Sequence, residues 1–184
     1  MKLKNLYQKE IVPKMMKKFG FKNRLAVPKI EKVVINVGIN KKKKDNDPKY
    51  VEKVVDLVSQ ITGQRPKLSR AQKSVAGFNI RQGEVVGVNA ILRGEKKYSF
   101  LEKVYFIALP RTRDFRGIDP KSVDKGGNLS IGFDNQMAFP EINPEEVDKT
   151  FPLQMTITTS TQDRNESLEL LRLLKTPFKV KKDK

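Results

Sequence analysis

One stretch of the chain, residues 64–94, holds most of the side chains that could bind an anion. Four glycines and several neutral hydrogen-bonding side chains are interspersed in it, so backbone N–H groups can approach a phosphate as closely as the cations can. Such a combination of charge, donors and small residues is typical of a surface for a polyanion. The stretch contains one carboxylate, that of Glu84, and six cationic side chains. The cations are Arg65, Lys67, Arg70, Lys73, Arg81 and Arg93.

The residue types that the chain lacks exclude several kinds of chemistry. With no Cys and no His, there can be no disulfide, no thiolate nucleophile, no cysteine-ligated zinc and no nucleophile that depends on histidine as its base. The best remaining set is that of a magnesium-dependent nuclease, with Asp114, Asp119 and Asp124 as ligands. Their spacing matches no recognised ligand loop, and neighbouring Arg and Lys residues neutralise them. We therefore expect no enzyme, no metal and no cofactor.

The charge of the whole chain is strongly positive. Thirty-eight Lys and Arg against 21 Asp and Glu give a net charge of +17 over 184 residues. A bias of this size indicates a polyanionic partner, most commonly nucleic acid. No apolar run is long enough to cross a membrane and no amphipathic anchor helix is visible, so a membrane partner is not expected. Residues 1–10 lack the apolar core of a signal peptide, which predicts a cytosolic protein.

Helical periodicity marks four segments that would support this basic surface. One covers residues 3–19 and must be kinked or divided at Pro13, and a second ends at Gly63. A third runs to Leu109, with Pro110 as its stop, and the last covers about residues 165–175. Each helix offers an apolar stripe to a core.

Strict alternation marks four longer strands, each with an apolar face and an uncharged or basic polar face. They lie at about 29–38, 86–92, 129–133 and 153–160, with a short strand near 67–69. This pattern predicts an α+β fold, in which an open-faced antiparallel sheet of about four main strands carries helices packed on one face. We expect one domain over 1–184, with a long loop region at about 111–151 and a frayed basic tail at 178–184.

The uncovered face of the predicted sheet has no acidic side chain. A half-buried sheet with a solvated side would show the same alternation, so the pattern alone decides nothing. The lack of acids in a basic chain favours RNA, whose shallow minor groove suits short polar groups on a rigid sheet. A DNA-architectural protein would need groove-inserting wedges or base-reading side chains, and neither is visible. The face comprises Lys32, Asn36, Asn89, Arg93, Gln154, Thr156 and Thr158.

Three loops are expected between these elements. The lysine run in 41–46 predicts a solvated turn rather than a phosphate clamp, and a glycine-containing loop is expected at 71–78. The arginines of 111–127 make that loop a second candidate contact. The acidic residues of 134–148 suit either a solvated loop or a surface for a basic protein, and both alternatives stay open.

Five segments of the chain are long and distinctive: VPKIEKVVINVG, ITGQRPKLSRAQKSVAGFNIRQGEVVGVNAILRGEK, LPRTRDFRGI, FPEI and MTITTS. In this order they closely resemble the bacterial-type large-subunit ribosomal protein of the L-five family, which binds 5S rRNA. The resemblance implies a cytoplasmic, ribosome-bound structural protein that binds 5S rRNA in the central protuberance, contacts the elbow of P-site tRNA and bridges to a basic protein of the small-subunit head. It also implies 23S rRNA and neighbouring large-subunit proteins as partners, and no homo-oligomer.

The resemblance also assigns residues to these contacts. Ile91 stands where the family often has Thr, and Asn79 where Lys is usual, which removes a hydroxyl from the first position and a charge from the second. The implied 5S rRNA site comprises Lys32, Asn36, Gln64, Arg65, Lys67, Asn89, Ile91 and Arg93. The implied tRNA-proximal loop holds Arg70, Lys73, Ser74, Arg81 and Gln82, and the implied small-subunit-facing loop holds Arg111, Arg113 and Arg116.

Overall fold

The computed structural model describes residues 2–40, 45, 47–113, 115–143, 145 and 150–179. Their strands are β1 (Ile30–Gly38), β2 (Lys67–Arg70), β3 (Val85–Leu92), β4 (Leu129–Phe133) and β5 (Leu153–Thr159). They form one open antiparallel sheet in the order β2-β3-β1-β5-β4. The predicted α+β class and open sheet are confirmed. The sheet has five strands rather than about four, because the short β2 pairs with β3 along its whole length.

The helices follow one another along the chain in the order that the periodicity predicts. Their bounds are α1 (Lys2–Leu6), α2 (Val12–Phe19), α3 (Tyr50–Thr62), α4 (Gly94–Lys103), α5 (Leu109–Arg111) and α6 (Arg164–Leu173). A π-helical turn, Tyr7–Ile11, joins α1 to α2, and another, Val104–Ala108, joins α4 to α5. In the described part of the chain, no helix is both long and apolar enough to span a bilayer.

Two of the predicted helices contain a π-helical turn directly before a proline. Pro13 and Pro110 each occupy the second position of a helix, α2 and α5, directly after a π-helical turn. The N–H groups of Val12 and Leu109 donate to carbonyl oxygens five residues back, and the proline that follows each has no N–H to continue the regular ladder. The predicted kink or division at Pro13 takes the form of a π-helical turn before the proline, within backbone that stays right-handed helical at Leu6, Ile11 and Val12. Pro110 does not end the third helical segment, which continues to Arg111.

One compact unit comprises Met1–Val33, Leu92–Ile131 and Met155–Lys184. Its core is formed by the apolar sides of the helices, among which Met15, Leu101 and Leu170 are fully buried. The carboxylate of Glu102 in α4 accepts a hydrogen bond of 2.6 Å from the backbone N–H of Leu3. This bond satisfies a donor at the start of α1 that has no partner within the helix.

The other compact unit comprises Val34–Ile91 and Gly132–Gln154. Helix α3 buries the stripe that its periodicity predicts, including Val54, Val58 and Ile61. Gly63 ends the helix in the left-handed conformation, with φ of 63°, and its N–H donates to the carbonyl oxygen of Ser59. Two rings of the core, Phe133 and Phe139, pack with their centres 5.3 Å apart.

The predicted loops differ in how much structure they hold. The described part of 111–127 is partly ordered, with a 3-10 turn at Pro120–Ser122 and a bridge between Ile118 and Phe178. The tail expected to be frayed thus begins with a residue that pairs with this loop. Residues 41–44, 46 and 180–184 lie outside the described part of the chain.

Candidate nucleic-acid interface

Strand β1 places two of the predicted site residues on one face. Lys32 and Asn36 alternate with the buried Val33, Ile35 and Val37, so their side chains leave the sheet on the side opposite to the core. Asn36 is exposed and Lys32 is half-buried. The alternation that the sequence shows is therefore the alternation of the folded strand.

Strands β2 and β3 extend this polar face by a ladder of paired side chains. Lys67 lies opposite Asn89, and Ser69 lies opposite Gly87, so these four residues share one face. The side-chain amide of Asn89 donates a hydrogen bond of 2.8 Å to Ser69 Oγ. This bond fixes the Asn89 side chain on the open surface of the strand pair.

The turn between α3 and β2 is built to hold Gln64. Thr62 is buried, and its hydroxyl lies 2.7 Å from the carbonyl oxygen of Val58 and 2.9 Å from that of Gln64. The side-chain Nε2 of Gln64 donates to the carbonyl oxygen of Ile91 at 3.2 Å. Gln64 is therefore anchored to β3, and its Oε1 atom can accept a hydrogen bond from a ligand.

Six of the eight residues assigned to 5S rRNA belong to the same compact unit. Of these, Arg65 and Lys67 are exposed cations, and Ile91 is an exposed apolar side chain with 40% of its surface accessible. The remaining two, Lys32 and Arg93, belong to the other unit, where Arg93 precedes α4. The six are Asn36, Gln64, Arg65, Lys67, Asn89 and Ile91.

The unit that contains Lys32 has a polar sheet face of its own. Thr156 and Thr158 alternate with the buried Met155 and Ile157 along β5. The hydroxyls of Thr156 and Ser130 lie 3.1 Å apart, so β4 and β5 present hydroxyl groups on the same side. Thr156 and Thr158, which the sequence places on the uncovered face of the sheet, are therefore on a face of uncharged hydroxyl groups.

Residues 71–84, which we call the hairpin loop, are an ordered extension of β2 and β3. The N–H of Ala71 donates to the carbonyl oxygen of Glu84, and the N–H of Gly83 donates back to that of Ala71. Further along, Val75 and Ile80 form an antiparallel bridge. The loop that the sequence predicts at 71–78 is thus one arm and the tip of a tight hairpin.

Two of the residues predicted for the tRNA-proximal loop, Arg70 at the end of β2 and Ser74 in the hairpin loop, hold the hairpin loop in shape. Arg70 Nη1 donates to the carbonyl oxygen of Gly83 at 3.0 Å, and the N–H of Gln82 donates to Ser74 Oγ at 3.0 Å. The side chains of Lys73 and Arg81 are exposed. Arg70 and Ser74 therefore support the loop, while Lys73 and Arg81 are placed to meet an anion.

Sequence reasoning missed the most exposed aromatic residue of the described chain. Phe78 lies at the tip of the hairpin loop with 75% of its surface accessible, next to Val75 at 44%. Periodicity places most of the phenylalanines at core positions, and several are buried there, as Phe100 and Phe133 are. The sequence does contain a signal that could have found it. Phe78 stands between Gly77 and Asn79, in a stretch without helical or strand periodicity, so no core position is predicted for it.

The three arginines assigned to the small-subunit-facing loop are all exposed. Arg111 ends α5, and Arg113 and Arg116 follow it. Of the residues considered as magnesium ligands, Asp114 lies outside the described part of the chain. Asp119 caps the Pro120–Ser122 turn by accepting from Lys121 N–H, and Asp124 accepts from Asn128 N–H at 2.8 Å. Among described residues, no group of three acidic, His or Cys side chains could hold a metal ion.

These features define a class of protein. A chain with net charge +17, an open sheet face of neutral and basic side chains, and a basic hairpin loop is a nucleic-acid-binding protein with an open-faced α+β fold.

Comparison with known proteins identifies the family within this class. The family description for ribosomal protein L5 matches residues 23–81, and the description for the C-terminus of the same ribosomal protein family matches residues 85–178. The large ribosomal subunit protein uL5 of Carboxydothermus hydrogenoformans is 47% identical over 96% of this chain and 98% of its own length. The uL5 protein of Halothermothrix orenii is 49% identical over 94% and 95%. The chain belongs to the ribosomal protein L5 family and is a structural protein of the ribosome, not an enzyme.

Proposed function

We propose that this chain works in the large subunit of cytoplasmic ribosomes, where it binds 5S rRNA in the central protuberance. It further contacts the elbow of P-site tRNA and bridges to a basic protein of the small-subunit head, with 23S rRNA and neighbouring large-subunit proteins as additional partners. The observation that carries the proposal is the anchored polar face around Gln64 and Asn89, which has no acidic member among the described residues and lies beside two exposed cations.

The chemistry of this face suits an RNA helix. Asn36, Gln64 and Asn89 are short neutral side chains on rigid strands or at a fixed turn, and such groups can reach 2′-hydroxyls and phosphates across a shallow minor groove. The bonds from Asn89 to Ser69 and from Gln64 to Ile91 hold two of these side chains in place before RNA binds. Less side-chain entropy is therefore lost on binding.

The remaining two contacts of the proposal use different chemistry. The hairpin loop offers the exposed cations Lys73 and Arg81 to the phosphates of tRNA. In the unit that contains α3, the exposed carboxylates of Asp134, Glu141 and Glu145 suit a basic protein partner. The exposed Arg111, Arg113 and Arg116 belong to the other unit, and we assign them to the small-subunit side as well.

A salt titration tests the proposed 5S rRNA site. Binding of the full chain to 5S rRNA is compared with binding to tRNA and to a random duplex DNA of matching length. We expect 5S rRNA to keep a preference of roughly a hundredfold or more near physiological salt. If all three nucleic acids weaken together without a preference, charge alone explains binding and the proposal fails.

Three substitutions separate specific contacts from charge in the same titration. Asn36→Ala should cost about 1–3 kcal/mol of 5S rRNA affinity and leave the salt slope unchanged, because it removes no charge. Lys67→Ala should lower the salt slope by about 1, the share of a single phosphate contact. Lys17→Ala, which removes the same charge from an exposed position on α2, is the matched control and should change neither quantity.

A further inference from the structure

The tip of the hairpin loop exposes a large apolar surface to solvent. Phe78 and Val75 have 75% and 44% of their surfaces accessible. A single exposed apolar residue is ordinary, but an exposed aromatic ring and an aliphatic neighbour at the end of a projecting hairpin form a contact surface. With most of its surface accessible, the Phe78 ring contributes little to the packing of the loop.

The backbone around Phe78 is ordered rather than irregular. The N–H groups of Phe78 and Ile80 both donate to the carbonyl oxygen of Val75, at 3.3 Å and 3.2 Å. The N–H of Asn79 donates to that of Ala76, and Asn79 itself has φ of 52°, a left-handed conformation that asparagine tolerates better than most residues. The ring is therefore presented on a preformed turn, which lowers the entropy lost on binding.

The charge around the ring selects the chemistry of its partner. Lys73 and Arg81 are exposed on the same hairpin. The single acid of the loop, Glu84, directs its carboxylate to the backbone N–H of Arg81 at 3.1 Å. An anionic partner that also offers flat apolar faces is a nucleic acid with an accessible base, because each base combines a π-face with a neighbouring phosphate.

We propose that Phe78 stacks on an exposed base, or on the outer face of a terminal base pair, in the RNA that the hairpin loop contacts. This inference rests on the proposed function, which gives tRNA to this loop. Lys73 and Arg81 then bind the phosphates on either side of the stacked base. Removal of the ring should weaken binding about 5- to 150-fold, the factor that corresponds to about 1–3 kcal/mol per stacked base.

Ribosomes assembled with variants of position 78 test the stacking. The rate at which tRNA dissociates from the P site is measured for wild type, Phe78→Ala, Phe78→Leu and Phe78→Trp. Leucine keeps the apolar character and loses the flat ring, whereas tryptophan keeps a flat ring. We expect faster dissociation with alanine and leucine, and a rate within about twofold of wild type with tryptophan. A leucine variant that behaves like wild type would overturn the proposal.

A spectroscopic measurement identifies the stacked base. 2-Aminopurine is placed, one position at a time, at the accessible bases of the tRNA elbow, and its fluorescence is recorded on the ribosome. Stacking should quench one position with wild type and Phe78→Trp, and not with Phe78→Leu. Equal quenching for all the variants at every position would show that no base stacks on the ring.

Two controls separate this inference from the proposed function. Binding of 5S rRNA by the full chain should be the same for wild type and Phe78→Ala, since the exposed ring takes no part in core packing. If wild type shows no preference for 5S rRNA, the proposed function fails. If that preference is intact and Phe78→Ala leaves tRNA dissociation unchanged while Lys73→Ala accelerates it, the stacking alone is wrong.

Discussion

Gln64 shows how a neutral side chain acquires a fixed role on a basic surface. Its Nε2 group donates to the carbonyl oxygen of Ile91, and the hydroxyl of Thr62 holds the turn from which it projects. Glutamine is suited to this position because it offers a donor to the protein and keeps an acceptor for a ligand. A carboxylate of the same shape has acceptors only.

Replacement of Gln64 by glutamate should therefore be worse than its removal. In Gln64→Glu a carboxylate oxygen faces the carbonyl oxygen of Ile91, and a negative charge is added to the proposed RNA face. We expect Gln64→Ala to weaken 5S rRNA binding by about 1–3 kcal/mol and Gln64→Glu to weaken it further. Filter binding at fixed salt measures both effects. Gln82→Glu, on the exposed hairpin loop, is the charge-matched control, and an equal loss there would show that net charge alone decides.

At the scale of elements, Gly127 joins a strand to a helix. Its carbonyl oxygen accepts from Thr159 Oγ1 at the end of β5, at 2.9 Å, and from Ser167 Oγ in α6. Its φ is +76°, and a Cβ atom added there would lie 2.8 Å from the carbonyl oxygen of Thr161. Both the backbone conformation and the close approach of a neighbouring chain segment therefore require glycine.

A pair of alanine substitutions should separate these two requirements. Gly83 has φ of +82° but no atom within 4 Å of an added Cβ, so Gly83→Ala should cost about 1 kcal/mol of unfolding free energy for conformation alone. Gly127→Ala adds a clash with backbone and should cost about 3 kcal/mol or more. Urea unfolding of both variants measures the difference. Similar losses would mean that the loop around Gly127 relaxes and the steric requirement is weak.

The sequence predicts some elements better than others. The well-predicted ones depend on neighbouring residues, whereas the others depend on residues that are far apart along the chain. Strand faces follow from a period of two residues, so the alternation around Asn36 and Thr156 predicts which side is buried. The end of α3 follows from Gly63 alone. In contrast, the order in the loop before β4 depends on Ile118 meeting Phe178, two residues that are far apart in sequence. No local pattern contains that contact.

The candidate site was predictable to the same extent. The polar face was visible as alternation without acids, but the bonds that anchor Gln64 to Ile91 and Asn89 to Ser69 need the register of the strands. Phe78 was missed because aromatic residues usually mark a core. The departure at Asn79 also gains a physical reason, since its left-handed φ of 52° favours asparagine over lysine.

For the whole molecule, the net charge of +17 has consequences even without RNA. Ion pairs on the surface, such as that between Lys14 and Glu10, are exposed to solvent and contribute little to stability. Repulsion among the remaining cations should destabilise the free chain at low ionic strength.

Salt should therefore stabilise the free protein. We expect the melting temperature to rise by several degrees when sodium chloride is raised from low to physiological ionic strength, because screening shortens the range of repulsion to about 8 Å. Scanning calorimetry at constant pH measures the shift. A variant in which Lys17 and Lys121, both exposed, are replaced by glutamine should show a smaller rise. A melting temperature independent of salt in both chains would contradict the idea.

Alkaline pH should lower the stability through two tyrosines, the half-buried Tyr7 and the buried Tyr105. Burial, with a smaller contribution from the nearby Tyr98, raises the pKa of Tyr7 to about 12. Burial also raises the pKa of Tyr105, whose hydroxyl accepts a hydrogen bond of 3.0 Å from Thr176 Oγ1. The ordinary pKa of tyrosine is about 10. Above this pH the two tyrosines lose their protons in the unfolded chain, while both stay neutral in the folded state.

The sign of the pH dependence follows from this difference. Below about pH 10 the folded and the unfolded state both keep the phenolic protons, and this contribution to stability is fully present. Between about pH 10 and the pKa values of the folded state, the unfolded state binds fewer protons than the folded state. The free energy of unfolding therefore falls as pH rises through this range. Tyr7→Phe removes one such group and, with it, the hydrogen bond of 3.1 Å from Tyr7 to the carbonyl oxygen of Pro28. We expect the variant to lose about 1 kcal/mol at neutral pH and to decline less steeply above about pH 10. The free energy of unfolding of wild type and Tyr7→Phe is measured by urea unfolding as a function of pH. Every other ionisable group is common to the two proteins, so the difference between their pH profiles isolates Tyr7. Parallel profiles would contradict the role given to Tyr7.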